Sequence, residues 1–116
     1  MPANSAIDLV EYYLSRAELQ YARGQTRESI VSAKTALGLE PSLEKKTALE
    51  LFIARAKSSL GEFSASNEIY RALIDENTYL PPIILGILHN NLRLAKTDKS
   101  KKNLALINLM CYTGNP

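Results

Sequence analysis

The residues of this chain that could do acid–base, nucleophilic or metal chemistry are few and scattered. The 116 residues include one histidine, His89, and one cysteine, Cys111. A histidine with no second ligand at metal spacing is usually a surface or packed residue, and a cysteine with no activating neighbour is usually a small buried hydrophobe. Asp75 and Glu76 are adjacent, so on a helix they do not face each other as an acid–base pair. We therefore predict no catalytic residue, no metal site, no cofactor and no enzymatic activity.

A dense cluster of basic residues lies near the C-terminal end of the sequence. Five cations and one acid, Asp98, fall within ten residues of a chain whose net charge is only +2. The cations are Arg93, Lys96, Lys99, Lys101 and Lys102. They form either a solvated turn between helices or a phosphate-contacting patch, which needs only clustered Lys and Arg. No aromatic residue interleaves with them, so stacking on nucleic-acid bases is not supported.

The composition indicates a folded chain that does not enter a membrane. Hydrophobic residues make up 46% and charged residues 22%, which is ordinary for a globular protein. The most apolar stretch, residues 80–88, is far shorter than the ~20 residues that a spanning helix needs. The first residues lack a basic start followed by an apolar run, so we expect no signal peptide. These observations predict a cytoplasmic protein with no membrane insertion.

Apolar residues recur at three- and four-residue steps along most of the chain, which is the pattern of helices that bury one face. Thr26 and Ser42 are candidate N-caps, and Gly24 and Gly61 are candidate helix ends. The predicted helices span about 7–23, 27–39, 43–60, 63–76, 82–95 and 101–112.

The fifth helix has two features of its own. Its predicted buried residues are Ile83, Ile84, Ile87, Leu88, Leu92 and Leu94. Gly86 lies inside this helix, where a glycine is useful if a neighbouring helix must come very close.

The segments around Gly24 and Gly61 can be superimposed at a spacing of 37 residues. The first reads YYLSRAELQYARGQTRESIVSAKTALGLEP and the second LELFIARAKSSLGEFSASNEIYRALIDEN. Each is an apolar helical stretch, a glycine turn and a second helical stretch. A repeated helix–turn–helix at this period is typical of a helical solenoid, a class that binds other proteins.

These two segments resemble the tetratricopeptide repeat (TPR) family. A small residue precedes each glycine by seven positions, Ala17 and Ala54, and another follows it by five, Ser29 and Ser66. In the first segment Ala36, Leu37, Leu39 and Pro41 match the family's closing A-L-x-L-x-P. The resemblance implies an all-α, TPR-like helical hairpin solenoid of about three helix pairs. It would be a single domain over 1–116 with repeats at about 9–42, 43–78 and 81–113.

Residues 83–115 also look like part of the TPR subunit of the signal recognition particle, its 72 kDa component. Asn90, Asn91 and Leu92 resemble the paired asparagine and aliphatics that end a repeat helix in that family. The helix after the basic linker is similar through Asn103, Ala105, Leu106, Leu109, Tyr112 and Thr113. This resemblance implies a protein partner, the 68 kDa subunit of that particle, and only indirect contact with RNA.

The resemblance to TPR proteins places the partner in a groove lined by the first helix of each pair. The candidate contacts on predicted helices one, three and five are Tyr13, Arg16, Gln20, Glu50, Lys57, Asn90 and Asn91. We therefore expect a non-enzymatic protein–protein interaction scaffold in a multiprotein or ribonucleoprotein assembly such as the signal recognition particle. The alternatives are a generic TPR peptide-binding module of another complex, such as the anaphase-promoting complex, and direct RNA contact through residues 93–102.

Overall fold

The computed structural model describes residues 5–76 and 81–96, and all regular structure in these two ranges is helical. The helices are α1 (Ser5–Ala22), α2 (Thr26–Leu37), α3 (Leu43–Ser59), α4 (Phe63–Asp75) and α5 (Pro81–Ala95). The prediction of an all-α fold is thus confirmed, and so are five of the six predicted helices. The sixth, at 101–112, lies outside the described residues, as does the basic segment from 97 onward.

The chain divides into two compact units, residues 1–60 and 61–116. In the first unit α1 packs on α2, and α2 packs on α3. In the second unit α4 packs on α5. The organisation as one solenoid domain of three repeats stays a prediction.

Helix boundaries reproduce the period of 37 residues. The first helices of the two repeats end at Ala22 and Ser59, and the second helices begin at Thr26 and Phe63. Both pairs of boundaries are 37 positions apart. The repeat seen in the sequence is therefore also a repeat of local structure.

The backbone of the two turns is nearly the same. Gly24 and Gly61 both have a φ of 82°, a left-handed conformation that side chains with a Cβ rarely adopt. The next residues are the N-caps of α2 and α4, Gln25 at φ −88° and ψ 62° and Glu62 at φ −87° and ψ 64°. The two turns therefore have the same length and nearly the same backbone dihedral angles.

One predicted cap is confirmed and one is wrong. Ser42 caps α3, since its hydroxyl accepts a hydrogen bond from the backbone N–H of Lys45 at 3.3 Å. Thr26 is not the cap of α2 but its first residue, and Gln25 takes the N-cap position without a side-chain hydrogen bond. The reason is the tight turn at Gly24, after which α2 begins one residue earlier than predicted.

Small residues dominate the interior of the first unit. Ala17 of α1 and Ala33 and Ala36 of α2 are fully buried, and they suit a close approach of two helices because they add little bulk. Other buried apolar residues of this unit are Val10, Ile30, Leu49, Phe52, Ile53, Ala54 and Ala56.

In the second unit, α4 and α5 meet through both apolar and polar side chains. Ile83 and Ile87 of α5 are fully buried, as predicted. Leu92 was predicted to be buried, but it is 42% exposed. At 100° per residue, position 92 lies on the side of α5 opposite Ile83, whereas Asn90 and Asn91 share the buried side.

Candidate functional site

The side chains of α1 and α3 meet at a surface that we call the α1–α3 face, made of Glu11, Tyr21, Lys45, Arg55 and Ser59. The Tyr21 hydroxyl lies 2.6 Å from the Ser59 Oγ. The Arg55 guanidinium carbon lies 5.4 Å from the centroid of the Tyr21 ring, within the range of a cation–π contact. These contacts hold the two helices together and leave Arg55 exposed to solvent.

Tyr21 is the centre of this face because it is held on two sides. Its ring also contacts Phe52 edge to face, with 5.7 Å between ring centroids and an angle of 67° between the planes. Such an arrangement is favourable for two aromatic rings. Tyr21 is half-buried while Phe52 is buried, so the aromatic pair connects the interior of the unit to its surface.

An ion pair lies on the same face. The Lys45 ammonium is 2.5 Å from the Glu11 carboxylate. The hydrogen bond that Lys45 donates to Glu11 and the negative charge of Glu11 raise the pKa of Lys45, and the charges of Glu44 and Glu18 act in the same direction. Because the folded-state pKa of Lys45 is raised, its contribution to stability is present at neutral pH and is lost as the pH rises through that pKa.

The depression beside this ion pair is too small for an ordinary cofactor. Its volume is about 220 Å³, whereas sites for drug-sized ligands span roughly 300–1,000 Å³. The lining residues are Val10, Glu11, Leu39, Glu40, Pro41, Ser42 and Lys45. The depression therefore gives no site for a cofactor-sized ligand.

The residues of α1 that the sequence singled out lie on another flank of the helix. Gln20 accepts a hydrogen bond from Ser32 of α2 at 2.6 Å. Arg16 donates to the Tyr12 hydroxyl at 3.2 Å, and Tyr13 contacts Tyr12 edge to face at 5.1 Å. None of these contacts reaches α3, so Tyr13, Arg16 and Gln20 do not belong to the α1–α3 face.

The candidates on α3 are also displaced from this face. Glu50 and Lys57 are seven positions apart and share one side of the helix. Arg55 lies on the opposite side, because two residues correspond to a rotation of about 200°. The α1 and α3 candidates thus lie on other sides of their helices than the α1–α3 face, and a groove that they form together stays a prediction. Arg55, which directly follows the small residue Ala54, was missed because the sequence does not fix the rotation of a helix.

The two asparagines of α5 form a buried network with α4. Asn90 donates from Nδ2 to the Ser66 Oγ at 2.8 Å and to the Asn67 Oδ1 at 2.9 Å. Asn67 in turn donates to the Asn91 Oδ1 at 3.1 Å. Asn90 is fully buried and Asn91 is 8% exposed. Contrary to the expectation of a partner contact, both side chains are engaged between α4 and α5.

The remaining polar candidates give no further site. Arg93 and Lys96 are exposed, while Lys99, Lys101 and Lys102 lie outside the described residues. His89 is exposed. Within residues 5–76 and 81–96, no three His, Cys, Asp or Glu side chains come close enough to hold a metal ion. No helix in the same ranges is long and apolar enough to cross a membrane.

Comparison with known proteins found no matching family model, no similar curated protein and no similar solved structure. The resemblance to TPR proteins therefore rests on the residues quoted above, and the resemblance to the signal recognition particle subunit on residues 83–115 alone.

Proposed function

We propose that this protein is a non-enzymatic scaffold that binds a segment of a partner protein across the α1–α3 face. The observation that carries the proposal is the cluster of Tyr21, Arg55 and Ser59, in which first helices of two successive repeats present polar and aromatic groups side by side. An extended polypeptide carries one donor and one acceptor per residue, and such groups can pair with them.

Arg55 is the strongest individual contact in this proposal. Its guanidinium carbon lies 5.4 Å from the centroid of the Tyr21 ring, and this contact limits the conformations of the side chain before a partner binds. Stacking leaves the edge of the guanidinium free to donate to a carbonyl or a carboxylate. A preordered arginine loses less conformational entropy on binding than a mobile one.

The identity of the assembly follows from resemblance only. Residues 83–115 support an assembly such as the signal recognition particle, in the cytoplasm, with its 68 kDa subunit as partner and with RNA contacted indirectly. A TPR-like module of another complex would use the same face.

The experiment is a selection of peptides from a displayed random 12-residue library on the purified chain, followed by affinity measurements on variants. We expect Arg55→Ala to weaken peptide binding by about 10- to 100-fold, since a hydrogen bond to a charged group contributes roughly 1.5–3 kcal/mol. Lys34→Ala removes an exposed cation from α2 and is the matched control, with little expected effect. If Arg55→Ala and Lys34→Ala bind the selected peptides equally well, the α1–α3 face is not the site.

A further inference from the structure

A row of exposed side chains follows the outer side of α1. Leu9 is 44% exposed, Tyr12 53% and Leu19 51%, and Arg16 lies between them. We call these four residues the α1 seam. Their spacing of three, four and three residues is that of the a and d positions through which two helices pair in a coiled coil.

The α1 seam lies at the surface, and Tyr12 and Leu19 point away from the core of the unit. The buried residues Val10 and Ala17 each precede a seam residue, Tyr12 and Leu19, by two positions, or by about 200° of rotation. Single exposed apolar residues, such as Val31 on α2, are ordinary at a protein surface. Three large ones aligned on one helix face form a stripe with the shape of a helix–helix contact.

Two copies of the α1 seam match each other when the two helices run in antiparallel directions. Pairing two copies about position 14 sets Leu9 opposite Leu19 and Tyr12 opposite Arg16, each twice. A two-fold interface requires this reciprocity, in which residue i contacts residue j and j contacts i. Within one chain, Arg16 donates a hydrogen bond to the Tyr12 hydroxyl at 3.2 Å, so these two groups form a favourable contact. Parallel pairing would instead set Arg16 against Arg16, with like charges in contact.

We propose that α1 pairs in antiparallel orientation with α1 of a second copy of this chain through the α1 seam. Each interface then contains two Leu9–Leu19 contacts and two Arg16–Tyr12 contacts, in which the guanidinium of one copy lies over the ring of the other. A contact between two short helices buries less area than the ~1,600 Å² of a standard interface, so the dimer is reversible and depends on concentration. The α1–α3 face shares no residue with the α1 seam, so this proposal stands apart from the proposed function.

The orientation is tested by disulfide cross-linking of the full chain in which Cys111→Ser removes the single native cysteine. We expect a mixture of the Leu9→Cys and Leu19→Cys chains to form a mixed disulfide dimer under mild oxidation. Leu9→Cys alone should cross-link poorly, because two copies of position 9 lie about 15 Å apart along antiparallel axes, beyond the ~7 Å limit for a disulfide. Stronger 9–9 than 9–19 linkage, or no linkage in any mixture, overturns the proposal.

The strength of the contact is tested by sedimentation equilibrium. We expect the unmodified chain to dimerise reversibly and Leu19→Glu to raise the dimer Kd at least tenfold, since it places two charges in the α1 seam. Val31→Glu introduces the same charge at an exposed site on α2 and should leave the Kd unchanged. A chain that stays monomeric up to about 1 mM, or an equal loss in Val31→Glu, contradicts the pairing.

Discussion

At the scale of single residues, Gly86 shows how the absence of a side chain can set a helix contact. A Cβ built at this position would lie 2.6 Å from the Tyr70 hydroxyl oxygen, well inside van der Waals contact. Tyr70 is itself only 5% exposed, so its ring has little room to move. Gly86 thus permits a close approach of α4 and α5, as predicted, because the Tyr70 ring of α4 occupies the space that a side chain at position 86 would need.

We expect Gly86→Ala to lower the free energy of unfolding by about 1–3 kcal/mol, the usual cost of overpacking. At a helix position that no neighbouring side chain crowds, a change from glycine to alanine would instead raise the free energy of unfolding by up to ~1 kcal/mol. Gly38→Ala is the matched control, since Gly38 has a φ of −66° and its nearest neighbour would be 3.4 Å from the new Cβ. Urea unfolding of both variants measures the difference. A Gly86→Ala variant as stable as Gly38→Ala would mean that Tyr70 does not occupy this position.

At the scale of secondary-structure elements, α4 and α5 are matched by hydrogen bonds as well as by apolar packing. Ser66 and Asn67 of α4 meet Asn90 and Asn91 of α5, and the described residues contain no buried side-chain polar atom without a partner. A polar network of this kind favours one alignment of two helices, because a shift by one turn would leave buried amides unpaired. The first unit has no such network at the equivalent positions, where Ile30 replaces Asn67 and Ser29 bonds its own helix at Thr26.

We expect Asn90→Ala to lower the free energy of unfolding by about 1–3 kcal/mol, because it leaves buried polar groups on α4 without their donor. His89→Ala changes an exposed neighbour on the same helix and should stay within ~0.5 kcal/mol of the unmodified chain. Thermal or urea denaturation followed by circular dichroism gives both values. Equal midpoints for the two variants would contradict a structural role for Asn90.

The helices themselves could be predicted from the sequence because apolar residues recur at helical steps, and Ser42, Pro81 and the two turn glycines mark where helices begin or end. The orientation of each helix was harder to predict. Hydrophobic patterns assign Leu92 to the interior and asparagines to the surface, but a fully hydrogen-bonded Asn90 is as well suited to burial. The choice between Glu50 and Arg55 as a contact residue depends in the same way on the rotation of α3, which the sequence alone does not fix.

At the scale of the whole molecule, the same kind of turn occurs twice along the chain, at Gly24 and at Gly61, and the sequence identifies both. The glycine period of 37 residues predicted equivalent turns, and the structure gives Gly24 and Gly61 the same φ of 82°. The Gly24 turn lies within the first unit, and Gly61 is the first residue of the second. A property that depends only on the turn should therefore have the same value in both.

Replacing either glycine by alanine tests this equivalence. A Cβ at Gly24 or at Gly61 would meet nothing within 4 Å, so the cost comes only from the left-handed backbone. We expect Gly24→Ala and Gly61→Ala each to lower the free energy of unfolding by about 1–2 kcal/mol, the cost of this conformation for a residue with a Cβ. Asparagine tolerates positive φ better, so Gly24→Asn and Gly61→Asn should recover part of the loss in both turns. Urea unfolding of the four variants gives the comparison. Effects on the unfolded state usually account for a few tenths of a kcal/mol. If the losses in the free energy of unfolding at the two turns differ by more than about 1 kcal/mol, the two turns are not energetically equivalent.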